Sequence, residues 1–187
     1  PLVYTPRVKR LLICAVVALA LAGVNAITAP IIAELNAAAT QEAISAVLPG
    51  GFDSEITDYA DATGIVSKVY QGEAGYALEV LPGGFDNTIT MMVGVDFEGK
   101  VLGISVVSHT ETAGLGAVAA ANTSAGEAFR AQFVGASGSV AVSKDGGSLD
   151  AITGATVTSK AIIRCVNSAV AYVTGADADS GATSWGG

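Results

Sequence analysis

The 187-residue sequence is 51% hydrophobic and carries a formal net charge of −8. All 17 acidic side chains follow residue 33, so residues 34–187 hold six basic against 17 acidic groups, a net charge of −11. This acidity argues against binding to nucleic acid and to anionic lipid head groups. One histidine and two cysteines leave no metal or iron–sulfur site of ordinary ligand count.

An uncharged apolar run occupies residues 11–33. As a helix rising ~1.5 Å per residue it would span ~34 Å, enough for the core of a bilayer. Arg7, Lys9 and Arg10 precede it, so the positive-inside rule predicts a cytoplasmic N-terminus and an extracytoplasmic location for the rest. A signal peptide cleaved near residues 20–22 is the alternative. Because the apolar run continues past that site, the sequence favours an uncleaved, single-pass anchor in the cell (inner) membrane.

A helical stalk is predicted at residues 34–49, because apolar residues recur there at helical spacing until Pro49 and two glycines end the pattern. Short β-type runs follow, and a three-residue turn containing Gly99 joins the last two as a hairpin. The predicted strands lie at about residues 64–71, 75–81, 88–97 and 101–108. The middle of the chain should therefore be mainly antiparallel sheet.

A helix is predicted over residues 124–134, with Ala125, Phe129 and Phe133 on its apolar face. A short strand is expected at residues 140–143. A closing helix should end near residue 175. Together these elements indicate an α+β fold. Residues 1–33 comprise a cytoplasmic N-terminus and one transmembrane helix, residues 50–174 form a single extracytoplasmic domain with an antiparallel sheet and flanking helices, and residues 175–187 form a flexible tail.

The segment at residues 150–156 reads DAITGAT. Gly154 and Ala155 have almost no side-chain bulk, so a large donor molecule can approach the Thr156 hydroxyl closely. Apolar residues then recur at helical spacing, which predicts a helix that opens near this threonine; they are Ile162, Cys165, Val166 and Ala169. A phosphate there would face free N–H groups and the positive end of the helix dipole, with Lys160 one turn further on. In the alternative interpretation, Thr156 or Thr158 merely caps the helix.

The same segment fits the pattern D-x-x-[ST]-G-A-[ST] and resembles the acceptor sequence at which FMN is joined to a hydroxyl side chain. Residues 109–116, HTETAGLG, lie upstream and resemble the H-x-E-T-x-G-L-G segment of the G subunit of Rnf complexes, a relative of the C subunit of sodium-translocating NADH:quinone oxidoreductases. The sequence departs from that family at Ala113, where proline is frequent, and at Thr153, where serine is usual.

The resemblance implies an FMN-binding domain in which Thr156 carries FMN as a covalent phosphoester. It assigns further residues to the cofactor site: Asp150, Thr153, Gly154, Ala155, Lys160, Glu111, Thr112 and Leu115. A second match to the acceptor pattern, DADSGAT, ends at Thr183 in the tail. No apolar period follows it, so Thr156 is the predicted acceptor.

The implied function is that of a non-catalytic electron-carrier subunit in a membrane-bound, ion-translocating ferredoxin:NAD oxidoreductase. The implied partners are intramembrane iron–sulfur subunits, a second flavinylated membrane subunit, cytoplasmic subunits linked to ferredoxin and NAD, and a flavin transferase during maturation. Two alternatives stay open at this point. In the first alternative, the chain is a membrane-anchored extracytoplasmic flavoprotein of another respiratory system. In the second, it is a flavin-free anchored domain for binding or assembly.

Overall fold

The computed structural model describes four stretches of the chain, residues 6–59, 64–81, 89–109 and 112–176. By its internal contacts the chain divides into two compact units, Pro1–Ala39 and Thr40–Gly187. The division at residues 33, 49 and 174 that the sequence suggests, with a separate stalk, stays a prediction.

Helix α1 (Pro6–Val47) forms the described part of the first unit and extends into the second. Its portion Val8–Val47 is long and apolar enough to cross a membrane by length and composition, with a mean hydropathy of 2.4 in its most apolar window. Pro30 lies inside α1, and the helix continues through it although proline removes one helical hydrogen bond. The residues predicted to span a membrane therefore lie within one unbroken helix.

Five antiparallel strands form one sheet in the order β1-β2-β3-β4-β5. They are β1 (Ser54–Ile56), β2 (Val66–Gly72), β3 (Gly75–Val80), β4 (Thr90–Val95) and β5 (Val101–Ser108). The four predicted strands and the β4–β5 hairpin are confirmed. β1 was missed, because its three residues are largely exposed and show no alternation of apolar and polar side chains.

The two faces of the sheet bury different side chains, as the period of two in a strand requires. On β4, Met91 and Val93 enter the larger core cluster, whereas Met92 lies in a second cluster on the opposite face. Helix α3 (Thr156–Thr174) covers the larger cluster with Ile162 and Val166. The sheet is consequently packed on both faces.

The last turns of α1, within the second unit, and the residue that follows them cover the other face of the sheet with Ile44, Val47 and Leu48. Gly94 makes this close approach possible, since a Cβ there would lie 2.0 Å from the Val47 carbonyl oxygen. Gly50 follows the helix with a φ of +89°, which allows the chain to turn towards β1. This end of α1 is thus part of the domain core.

Helix α2 (Ser124–Ala131) ends three residues earlier than predicted. Phe129 and Phe133 are buried as expected, but Ala125 is exposed and Gly126 is buried in its place. A Cβ on Gly126 would lie 2.3 Å from a carbonyl oxygen of the preceding loop. The apolar periodicity was misleading here because a close backbone approach, rather than side-chain hydrophobicity, selects the residue.

No strand forms at residues 140–143, contrary to the prediction. Val142 makes one isolated parallel bridge with Leu149, and a 3-10 turn follows. The backbone of Val140 is bonded instead to the side chain of Asn167 on α3, which donates from Nδ2 at 2.9 Å and accepts at Oδ1 from the Val140 N–H at 2.8 Å. The side-chain amide of Asn167 thus bonds both backbone polar groups of Val140, which in a strand would bond to a neighbouring strand.

Candidate functional site

Helix α3 begins at Thr156, so the prediction of a helix opening at this threonine is confirmed. The N-cap residue is Ala155, which makes no side-chain capping bond. The capping interpretation of Thr156 is therefore wrong. Thr156 is half-buried and is the N-terminal residue of α3.

A tight turn places Thr156 next to the segment at residues 112–116. Gly154 has a φ of +78°, a left-handed conformation that strongly favours glycine. A Cβ added there would lie 3.0 Å from Leu115 Cδ2. The small residue of the predicted acceptor motif thus serves two purposes, because it permits the turn and leaves room for Leu115.

A cavity of ≈ 290 Å³ opens between these two segments. Its lining residues are Thr112, Leu115, Gly116, Gly154, Ala155, Thr156, Val157 and Thr158. Five residues predicted for the cofactor site therefore lie together, from two segments about forty positions apart in the chain. The sequence interpretation did not assign Gly116, Val157 and Thr158 to the site, although Gly116 is the last residue of the first motif and the other two directly follow the second.

Three residues predicted for the site do not line the cavity. Thr153 is exposed in the turn, and the Asp150 backbone is bonded to the side chain of Gln132. The Lys160 ammonium forms an ion pair with Asp145, with Nζ and Oδ2 2.9 Å apart. Lys160 therefore has an acidic partner in the structure, and a role beside a phosphate remains a prediction.

Glu111 and Thr183 lie outside the described residues. Their predicted roles, contact with the flavin for Glu111 and a second acceptor hydroxyl for Thr183, stay predictions. His109 is within the described part of the chain, and its Nδ1 is buried without a hydrogen-bond partner among the described residues.

The electrostatic character of the cavity comes from the backbone of α3. The first bond of the helical ladder runs from the Ser159 N–H to the Ala155 carbonyl at 2.9 Å, so the amides of Thr156 and Val157 have no helical acceptor. These donors and the helix dipole favour an anion at this end of the helix. None of the eight lining residues has an ionisable side chain.

These features fit FMN. The apolar side chains of Leu115 and Val157 suit an aromatic ring system, and the N-terminus of α3 suits a phosphate. Thr156, a hydroxyl residue, lines the same cavity. Among the described residues, no group of three or more His, Cys, Asp or Glu side chains is placed to hold a metal ion. The cavity is thus suited to an organic anion.

Comparison with known proteins leads to the same cofactor. Residues 84–171 match the family model described as FMN-binding domain. The G subunit of the Na(+)-translocating ferredoxin:NAD(+) oxidoreductase complex of Acetobacterium woodii is 31% identical over 179 residues, which cover 84% of this chain and 85% of that protein. The chain belongs to this family of G subunits. It accordingly carries an FMN-binding domain.

Two further relatives are G subunits of ion-translocating oxidoreductase complexes. That of Methanosarcina acetivorans is 30% identical over 150 residues, covering 74% of this chain and 77% of that protein. That of Pseudomonas aeruginosa strain UCBPP-PA14 is 41% identical over 87 residues. This second match spans 45% of this chain and 41% of the Pseudomonas protein's length. Together with helix α1, membership of this family indicates a membrane-anchored protein.

The two cysteines have no part in the cavity. Cys14 lies in α1 and Cys165 is fully buried on α3, and neither forms a disulfide. Burial raises the pKa of the Cys165 thiol well above its ordinary range, against a smaller opposing effect of Arg164. Cys165 therefore acts as a small apolar core residue, as predicted from its position.

Proposed function

We propose that this protein is the FMN-bearing electron carrier of a membrane-bound, ion-translocating ferredoxin:NAD oxidoreductase of the Rnf type, with FMN joined covalently to Thr156. One observation carries the proposal. Thr156 is the first residue of α3 and lines the cavity together with Thr112 and Leu115 of the upstream motif. An acceptor hydroxyl, an anion-binding helix end and an apolar wall are brought together there.

The attachment is a group transfer without net oxidation or reduction. Thr156 Oγ attacks the flavin-bearing phosphorus of flavin adenine dinucleotide, an Oγ–P bond forms, the P–O bond of the diphosphate bridge breaks, AMP leaves, and the hydroxyl proton is released. None of the eight described residues that line the cavity has an ionisable side chain, and in this proposal the flavin transferase supplies the proton acceptor. The chain itself supplies the hydroxyl and holds it in place.

A covalent bond suits a cavity of this size. Its volume of ≈ 290 Å³ lies just below the range for small-molecule sites, roughly 300–1,000 Å³. Such a site encloses part of a flavin nucleotide and leaves an edge open for electron exchange. A tether then replaces the affinity that deeper burial would provide. A domain on the extracytoplasmic side, which we propose here, also has no cytoplasmic FMN with which to replace a lost cofactor.

The proposed setting follows from the anchor and the family. Helix α1 holds the domain at the membrane with its N-terminus in the cytoplasm. Partners are the intramembrane iron–sulfur subunits, a second flavinylated membrane subunit and the cytoplasmic subunits that connect ferredoxin with NAD. Electron flow through them drives movement of Na⁺ or H⁺. The span has no charged residue between positions 11 and 33, which suits anchoring rather than ion conduction.

Peptide mass mapping of protein from its native membrane tests the attachment. Trypsin separates residues 145–160 from residues 165–187, which contain the tail motif. The first peptide should have the added mass of FMN less water, and fragmentation should place it on Thr156. Attachment on the second peptide would move the flavin to the tail. Attachment on neither would contradict the covalent linkage of FMN to this chain.

Electron transfer is tested in the purified native complex. Reduced ferredoxin should bleach the absorption of the covalent flavin, and NAD⁺ should restore it. A flavin that stays oxidised while NADH is formed would lie outside the electron path and would contradict the carrier function.

A further inference from the structure

We propose that Ser159 and Gln132 are positioning residues for the modification of Thr156: they hold the loop at residues 150–155 in one conformation and so present the Thr156 hydroxyl to the flavin transferase. The inference rests on the proposed attachment of FMN. Neither residue lines the cavity, so each acts through the backbone that leads into Thr156.

Ser159 is a fully buried polar residue in the first turn of α3, three positions after Thr156. Its Oγ accepts a hydrogen bond from the Ile152 N–H at 3.0 Å and donates one to the Ala155 carbonyl at 2.9 Å. A buried hydroxyl is costly unless it is bonded, and an alanine would fill nearly the same space. What the hydroxyl adds is a bond between the helix and the loop.

A backbone hydrogen bond within the loop also joins Ile152 to the residue before α3. The Ala155 N–H donates to the Ile152 carbonyl at 2.9 Å, so both backbone polar groups of Ile152 are bonded to the start of α3. Between them, Thr153 and Gly154 form the exposed part of the turn. The residue that follows this closed turn is Thr156. Its backbone position is therefore set by the bonds that Ser159 completes.

Gln132, just after α2, holds the other end of the loop. Its Oε1 accepts from the Asp150 N–H at 2.7 Å, and its Nε2 donates to the Asp150 carbonyl at 3.3 Å. The loop is thus bonded from two separate helical segments, at residue 150 by Gln132 and at residue 152 by Ser159. Two attachments at this spacing leave the backbone before Thr156 little freedom.

A fixed loop matters for the transfer because the hydroxyl must be aligned with a phosphorus atom in another protein. Small errors in the position of a reacting group lower the rate of a group transfer by factors of about 10 to 100. A loop that samples several conformations presents a correctly placed hydroxyl for a smaller fraction of the time. Loss of the Ser159 hydroxyl should therefore slow the chemical step more than it weakens binding to the transferase.

The experiment uses the full-length chain in detergent, produced without a flavin transferase. Purified transferase and flavin adenine dinucleotide are added, and initial rates are measured over a range of protein concentrations. Ser159→Ala should lower kcat at least tenfold with little change in KM. Gln132→Leu should lower kcat by a factor of about three to ten. Gln132 is only half-buried, so we expect this variant to fold. Prolonged incubation should still place FMN on Thr156.

Thr123→Ala is the matched control. The Thr123 hydroxyl caps α2 by accepting from the Gly126 N–H at 3.3 Å, at the end of this helix opposite Gln132. Its loss should destabilise the domain by an amount similar to the loss of the Ser159 bond while leaving kcat within twofold of the parent. Equal losses of kcat in Thr123→Ala and Ser159→Ala would show a general effect of stability and would overturn the positioning role.

Amide hydrogen exchange in the unmodified chain gives a readout independent of flavin. Ser159→Ala should speed exchange of the Ile152 N–H at least tenfold, since its acceptor is lost. Faster exchange combined with an unchanged kcat in both variants would overturn the proposal and leave the attachment at Thr156 intact. If the parent chain takes up no FMN on Thr156, the proposed function itself fails, and the positioning role fails with it.

Discussion

The two walls of the cavity are held in different ways. Side chains from outside the loop bond the backbone of residues 150–155, and Thr156 starts a helix of 19 residues. At residues 112–116, the hydrogen bonds that the structure describes join backbone groups only, such as the Leu115 N–H to the Thr112 carbonyl at 3.2 Å. The acceptor hydroxyl lies on the first wall, and the exposed apolar contact, Leu115, lies on the second.

If FMN is attached to Thr156 as proposed, this difference separates two tasks of the site. The hydroxyl that forms the bond must be held in one place, because its alignment decides the reaction rate. Under the same proposal, the wall at residues 112–116 would need only shape and apolar surface to receive the ring. A tethered site can therefore combine a fixed attachment point with a less restrained contact surface.

The largest expected effect comes from the acceptor itself. Thr156→Ala removes the nucleophilic oxygen, so covalent FMN should be absent from the protein made with the transferase. Thr156→Ser keeps the oxygen and should still be modified. Mass spectrometry of the intact chains measures both. Covalent flavin in Thr156→Ala would assign the attachment to another residue, whereas a folded and colourless variant agrees with the proposal.

Hydrogen exchange compares the walls directly. The Ala155 N–H is bonded at 2.9 Å in a buried residue, whereas the Leu115 N–H is bonded at 3.2 Å in an exposed one. After correction for intrinsic rates, we expect Ala155 to exchange at least ~10-fold more slowly, equivalent to ~1.4 kcal/mol of local opening free energy. Equal protection of the two amides would contradict the contrast between the walls.

Gly154 and Gly114 are left-handed glycines that provide a matched pair, one in each of the two segments that line the cavity. Gly154 and Gly114 have φ values of +78° and +76°, but a Cβ at Gly154 would lie 3.0 Å from Leu115, whereas one at Gly114 meets nothing within 4 Å. Gly114→Ala should lower the free energy of unfolding by ~1–2 kcal/mol, the cost of the backbone conformation. Gly154→Ala should cost that amount plus up to ~1 kcal/mol for the contact.

Chemical denaturation of the full chain, followed by near-ultraviolet circular dichroism, measures these values. In a Leu115→Ala background, the cost of Gly154→Ala should fall to that of Gly114→Ala. A cost that does not change in that background would mean that the Leu115 side chain does not contact the turn in solution.

The smallest expected effect concerns Leu115 alone. The residue is 42% exposed, so Leu115→Ala should lower the free energy of unfolding by less than ~1 kcal/mol. Ile162→Ala is the contrasting control, because Ile162 is 1% exposed in the core and should cost ~2–4 kcal/mol. A loss for Leu115→Ala as large as that for Ile162→Ala would make the second wall a structural part of the core.

Local patterns predicted the elements that depend on local features. Four strands, the closing helix and its start near Thr156 follow from the spacing of apolar residues. The patterns failed where a distant group decides the structure. Asn167 bonds the backbone of Val140, 27 positions away, and so prevents the predicted strand. Gly126 replaces Ala125 on the buried face because a neighbouring carbonyl excludes a Cβ.

The sequence by itself determined the apolar anchor, the α+β class and the two motifs of the cofactor site, because each is encoded in residues close together in the chain. Only the tertiary structure decided which members of those motifs meet. Thr156 and Leu115 line one cavity, whereas Lys160 is paired with Asp145 and Asp150 is bonded to Gln132. Spacing along a chain does not specify these contacts, since they depend on how α3, α2 and the loops pack against one sheet.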